Sequence, residues 1–202
     1  MPTLDPVFDA PARETSEKIR LYLGTGCGKS TATFGLALRA LSAGKNVTIL
    51  FFDKLEGNSS EGKGLRYLAE ANKSDPSFGR LTIHYTGVNR VGTGPKGSFR
   101  LYSSPNGILP EDKAAAKQGL DYMAEALAQK QDLVIGDEML DVARVGLIDF
   151  DQVEAVIKSR QDPTVLALTG RRAPDWLMEM ASTISSTTQL RHHGRAIAGL
   201  DC

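Results

Sequence analysis

Gly24-Thr25-Gly26-Cys27-Gly28-Lys29-Ser30-Thr31 decides how the rest of this 202-residue chain is read. It follows Lys18-Ile19-Arg20-Leu21-Tyr22-Leu23, which alternates polar and apolar residues as a strand entering a tight turn does. Behind it, Phe34, Leu36, Ala37, Leu38 and Leu41 recur at helical spacing over residues 29–43, and Gly44 stands where a C-cap belongs. Strand, glycine loop and helix in that order make an anion site. The glycines turn successive N–H groups inward, and the helix N-terminus adds its partial positive charge. Lys29 supplies a full charge for outer phosphates, and the Ser30 hydroxyl is placed to ligate a divalent cation. The loop is one residue shorter than Gly-x-x-x-x-Gly-Lys-Ser/Thr, because Leu23 stands where the first glycine would fall. A dinucleotide fingerprint fits worse, since its third glycine would fall on Lys29.

Outward from the loop, short β-rich runs recur at residues 46–52, 80–85, 132–136 and 164–169, with helical patterns at 111–130, 150–160 and 174–182. Strands alternating with helices imply right-handed crossovers, so the expected fold is α/β, of the RecA-like P-loop NTPase class. Its sheet is mainly parallel and flanked by helices on both faces. Two segments break the rhythm: 55–64, rich in Gly, Ser and charge, and 87–110, with five glycines and three prolines. Both would emerge at the carboxyl ends of strands, where open α/β sheets bind ligands.

Composition excludes several classes. Lys+Arg and Asp+Glu are equal at 24 each, so no overall field draws in a nucleic acid or an anionic membrane, and any anion site is local. The length suits one domain, expected over 18–202 as a single nucleotide-binding unit behind a flexible segment, 1–17. That segment carries Pro2, Pro6 and Pro11 among acidic residues and lacks the pattern of a signal peptide. No run approaches the roughly 20 apolar residues of a membrane helix. The two cysteines, Cys27 and Cys202, make no disulfide framework, and a reducing, cytoplasmic setting is expected.

The acidic partner of the loop is Asp132-Leu133-Val134-Ile135-Gly136-Asp137-Glu138, an apolar strand ending in two carboxylates. Asp137 and Glu138 can reach Mg2+ from the side opposite Ser30, directly or through water. Residues 24–31 with these carboxylates therefore predict binding of ATP with Mg2+.

The run from Gly24 through Phe34-Gly35-Leu36-Ala37-Leu38-Arg39-Ala40 closely resembles the opening of the ATP:corrinoid adenosyltransferases of the CobA/BtuR type, which share the shortened loop. Further matches follow in order: Thr86-Gly87, Asp137-Glu138, Leu168-Thr169-Gly170-Arg171-Arg172-Ala173-Pro174, and a tail from Arg191-His192-His193 to Asp201. The resemblance covers roughly residues 18–202 and implies that ATP is the adenosyl donor. A reduced Co(I) corrinoid attacks the ribose 5′ carbon and triphosphate leaves, with the nucleotide held reversed relative to ordinary P-loop NTPases. It implies that residues 24–31 bind the triphosphate, with Lys29 and Glu138 as catalytic groups, Ser30, Glu138 and Asp137 toward Mg2+, and Arg39 and Arg171 as nucleotide contacts. It also implies a homodimer, and a flavoprotein or other reductant as partner.

The chain departs from that pattern at two places. Cys27 stands where the family loop commonly carries lysine, and Val88-Asn89-Arg90 replaces Phe-x-Trp after Thr86-Gly87. The family's two aromatics are thought to displace the lower ligand of the corrinoid. On the corrinoid side the candidates are therefore Val88 and Arg90, with Phe99 or Tyr102 of the lengthened loop in place of the missing rings. Other readings remain: a corrinoid with no lower base or another acceptor, an ATP- and corrinoid-binding carrier or regulatory module without transfer, or a P-loop small-molecule kinase or NTPase. His192 and His193 read as structural rather than as metal ligands, Trp176 and its neighbours as core, and Asp141, Arg144 and Asp149 as surface charges.

Overall fold

Val47–Phe52 is buried at all six positions, as a strand covered on both faces requires. Among the described residues it is the second of six strands: β1 (Ile19–Gly24), β2 (Val47–Phe52), β3 (Leu81–Thr86), β4 (Leu133–Asp137), β5 (Val165–Thr169) and β6 (Thr183–Thr187). They form one sheet in the order β3-β2-β4-β5-β1-β6, with every pair parallel. The computed structural model describes residues 18–57, 60–129, 131–161 and 163–191. Among the described residues, six α-helices cover the sheet: α1 (Lys29–Ser42), α2 (Ser60–Ala71), α3 (Pro110–Ala128), α4 (Met139–Arg144), α5 (Phe150–Lys158) and α6 (Asp175–Met180). The architecture is the expected RecA-like α/β fold.

Strand alternation divides the core in two. Ile19, Leu21, Leu50, Phe52, Val134, Leu166 and Leu168 face α3, α4, α5 and Leu177 of α6. Val47, Ile49, Phe51, Leu133, Ile135 and Ala167 face Phe34, Ala37 and Leu41 of α1 and Leu65 of α2. Trp176 and Met180 pack against the first cluster, and Met178 is exposed. Register aligns the carboxyl ends: Tyr22 lies beside Thr169, Gly136 beside Leu168, and Asp137 beside Phe51. The phosphate loop, Thr169, Asp137 and the end of β2 therefore meet along one edge.

Three features differ from the sequence reading. Residues 55–64 are not all loop, because α2 begins at Ser60. Gly62 is there for close approach: a Cβ would lie 2.4 Å from the Tyr85 hydroxyl and 3.0 Å from the Phe51 ring. The helical pattern at 174–182 is α6, but the strand that follows it, β6 at the sheet edge, was not expected. Asp141 of α4 is half-buried against the cavity described below and is not a free surface charge, whereas Arg144 beside it is exposed at the cavity rim as expected. The expectations for the segment 1–17 and for His192 and His193 lie outside the described residues.

The long connection 87–110 is built around a buried ion pair. Arg100 meets both oxygens of Asp112, and its Nη1 also donates to the Gly107 carbonyl at 2.6 Å. Asp112 in turn accepts the Leu109 N–H at 2.7 Å, and Pro110 opens α3 at a position where a missing N–H costs nothing.

At Gly119, α3 crosses the sheet so closely that a Cβ would lie 2.6 Å from the Phe52 ring and 2.8 Å from Thr86 Oγ1. Gly119→Ala is expected to destabilise the fold by about 1–3 kcal/mol through overpacking. Urea unfolding checks this, with a lowered midpoint at unchanged m-value.

Candidate active site

The phosphate loop is held from outside by β6. Gly26 N–H donates to the Thr187 carbonyl at 3.0 Å, and the Thr187 hydroxyl donates to the carbonyls of Leu23 at 3.1 Å and Gly26 at 3.2 Å. Gly24 has φ 111°, and a Cβ there would lie 2.2 Å from the Thr187 oxygen, so neither the turn nor the strand contact admits a side chain. Gly28 caps α1 at φ 96°. Thr25, Cys27 and Thr31 are exposed at the loop surface, with Cys27 a free thiol, and the Lys29 ammonium reaches back to the Gly26 carbonyl at 2.9 Å.

Across the loop mouth stands Asp137, fully buried at the end of β4. Its Oδ1 accepts the Ser30 hydroxyl at 2.8 Å and the Thr169 hydroxyl at 2.9 Å, and its Oδ2 accepts the Lys54 ammonium at 2.7 Å. Burial works against the Lys54 charge, but the Asp137 carboxylate outweighs it and holds the ammonium above the ordinary lysine pKa.

Glu138 is oriented differently from its neighbour. It adopts φ 62°, a left-handed conformation that L side chains rarely take, and its N–H donates to Thr169 Oγ1 at 2.8 Å. This turn takes the chain from β4 into α4 and leaves the Glu138 carboxyl against a cavity. Burial first, and the Asp137 charge second, push that carboxyl up to about 7.

The cavity has a volume of about 320 Å³ and is bounded by Lys54, Tyr102, Glu138, Asp141, Val142 and Arg171 among others. Asp141 fixes two of its basic neighbours, accepting Arg144 Nε at 2.9 Å and the Arg171 backbone N–H at 3.0 Å. The Arg171 carbonyl accepts the Gly24 N–H at 3.2 Å, which joins the cavity wall to the phosphate loop. Oxygen donors alone, the Ser30 hydroxyl and the carboxylates of Asp137 and Glu138, suit a hard cation such as Mg2+. No group of three or more His, Cys, Asp or Glu among the described residues would cage an ion unaided, so phosphate and water would supply the remaining ligands.

The long connection reaches the same edge. Arg90 Nη2 and the Tyr102 hydroxyl each donate to the Asp53 carboxylate at 2.5 Å. The guanidinium of Arg90 lies 3.8 Å from the Tyr102 ring centre and 4.7 Å from that of Phe99. Burial and the bond to Asp53 raise the Tyr102 phenol far above its ordinary pKa. Val88 is half-buried at the start of this connection. Arg39 is exposed in the last turn of α1, roughly 15 Å along the axis from Lys29, and is not among the groups gathered at the loop.

The chain matches the model of the ATP:corrinoid adenosyltransferase BtuR/CobO/CobP family over residues 15–200. It belongs to that family. A corrinoid adenosyltransferase of Pseudomonas aeruginosa is 26% identical over 93% of this chain and 82% of its own length. The corrinoid adenosyltransferase CobA of Salmonella typhimurium is 25% identical over 91% of this chain and 82% of its own. An uncharacterized Nostoc protein is 29% identical over 87% of this chain, which spans only 44% of that protein's length. Among the described residues, no helix of this family member is long and apolar enough to cross a membrane.

Lys54, Thr169 and the β6 residue Thr187 were not legible as site residues. Their roles rest on pairings across 83, 32 and 161 residues, and no local pattern announces them. A proton held by Glu138 up to about pH 7, against 4.5 in the ordinary side chain, favours the folded state at low pH. That contribution is complete below about pH 4.5 and is lost as pH rises to about 7. Glu138→Gln is therefore expected to raise the melting temperature relative to wild type at pH 8, with the gap closing at pH 5. Thermal melts of the two ligand-free proteins across that range check it.

Proposed function

We propose that this protein transfers the 5′-deoxyadenosyl group of ATP to the Co(I) of a reduced corrinoid, releasing triphosphate. One observation carries the reading beyond family membership. The shortened phosphate loop, the oxygen donors facing it and a cavity of about 320 Å³ adjoin one another, bridged by Ser30, Asp137 and the Arg171 carbonyl. With the nucleotide reversed, the loop would take the triphosphate and the cavity the adenosine, leaving the 5′ carbon open toward the side where residues 88–102 stand.

The residues divide the work. Backbone N–H groups of residues 24–31 and the Lys29 ammonium hold the triphosphate and meet the charge that grows on it, a preorganised electrostatic contribution of the oxyanion-hole kind. Asp137 orients the Ser30 hydroxyl and Glu138 presents a carboxylate, together forming the seat for Mg2+. When bound there, the ion would neutralise phosphate charge and make triphosphate a better leaving group. Tyr102 and Arg90, cross-linked through Asp53, form the acceptor-side wall in place of the family's two aromatics. The acceptor arrives as Co(I), so an external reductant such as a flavoprotein precedes the transfer.

The test mixes purified protein with Mg-ATP and chemically reduced cobalamin or cobinamide, then follows the corrinoid spectrum and triphosphate release. A light-sensitive alkyl-cobalt product with equimolar triphosphate is expected. Phosphate or a phosphorylated product would instead mark a kinase or NTPase, and no product with either corrinoid would remove the transferase reading. In the same assay Lys29→Ala is expected to lower kcat/KM for ATP by about 100-fold or more. Glu138→Ala is expected to raise the Mg2+ concentration needed for half-maximal rate.

A further inference from the structure

Lys54 approaches the buried Asp137 carboxylate from the side opposite Ser30. Its ammonium takes Oδ2 at 2.7 Å while the Ser30 hydroxyl takes Oδ1 at 2.8 Å, so the two donors stand one carboxylate apart. A group seated on the phosphate loop and Ser30 is therefore within the swing of a lysine side chain. The bond to Asp137 uses one of three ammonium donors. The side chain is 27% exposed, rests 5.6 Å from the Phe51 ring centre and lines the cavity.

The turn that presents Lys54 is held from several directions. Asp53 adopts φ 57°, a left-handed conformation disfavoured for a residue with a side chain. Arg90 and Tyr102 each grip one oxygen of its carboxylate. Gly87 N–H donates to the Lys54 carbonyl at 3.0 Å, and a Cβ on Gly87 would lie 2.6 Å from the Lys54 backbone. A strained turn over-determined by its surroundings beside a cavity is a pattern found at functional sites. Charge points the same way. A triphosphate carries more negative charge than Lys29 and one divalent cation neutralise, and the loop offers Cys27 rather than a second lysine.

We propose that Lys54 is a second cationic contact for the triphosphate, delivered from the end of β2 by the Asp53 turn. The proposal rests on the transferase reading for its role in the reaction. There the Co(I) lone pair forms the cobalt–carbon bond while the C5′–O5′ pair passes to the triphosphate oxygen. Lys54 meets that charge by hydrogen bonding, and no proton need move.

The decisive measurement is tripolyphosphate binding by calorimetry to two variants, Asp137→Asn and Asp137→Asn with Lys54→Met. Removing both members of the ion pair leaves no uncompensated buried charge, so the double variant is expected to fold, which circular dichroism checks. A phosphate contact predicts at least tenfold weaker binding in the double variant than in Asp137→Asn alone. Equal affinity within twofold would show that Lys54 serves only Asp137 and would overturn the proposal. In the transfer assay, Lys54→Met is expected to lower kcat about 100-fold, with Lys54→Arg recovering to within tenfold of wild type. Absence of transfer in the wild-type protein would remove the transferase reading, while the tripolyphosphate comparison would still decide whether Lys54 touches phosphate.

Discussion

The Asp137 carboxylate is sealed from water, and a carboxylate is tolerated there only because Ser30, Thr169 and Lys54 all donate to it. Those donors come from α1, β5 and the end of β2, so one charge ties three other elements to β4. Removing any single donor would leave a buried charge short of partners, a far larger penalty than the net gain from making the bond. The arrangement of phosphate loop, sheet edge and cavity wall is thus coupled to one ionised group.

Asp137 and Glu138 show how adjacent acidic residues acquire opposite characters. Asp137 points into a network of three hydrogen-bond donors and serves to orient. Glu138, turned away by its left-handed backbone, meets the cavity where burial and the neighbouring charge make its ionisation costly. A carboxyl in that condition gains more from an arriving cation than a solvated one would. The strain at position 138 and the electrostatic tension of its side chain would both serve the cation seat proposed above.

The fold was largely legible because its informative signals are local. The buried run of β2, five of its six residues apolar, the glycine run after β1 and the helical spacing behind it each lie within a dozen residues. Where the sequence reading fell short, residues answered to distant neighbours. Gly62 reads as a loop glycine until the Tyr85 hydroxyl and Phe51 ring are seen beside it. β6 is mostly polar and exposed, so it lacks the alternation that marks a half-buried strand. Lys54 after a strand resembles any surface lysine, and Asp53, Arg90 and Tyr102 reveal nothing of their mutual bonds from positions 37 and 49 residues apart. Lys29, Ser30, Asp137 and Glu138 could be picked out as candidates because a seat for phosphate and a divalent cation would constrain residue type and local order together, and the fold brings them to one loop mouth.

The brace that β6 places on Gly24 and Gly26 has a consequence for how the protein is made. The phosphate loop is synthesised well before Thr187, which braces it from 161 residues after Gly26. Parallel pairing over such a separation forms slowly, because loop-closure entropy must be met before the contact rewards it. A nascent chain therefore carries β1 without either of its sheet partners, and with its glycine turn unbraced, until β5 and β6 have been made. The loop reaches its braced form only once β6 has docked, and a ligand that binds the braced loop would favour chains in that state.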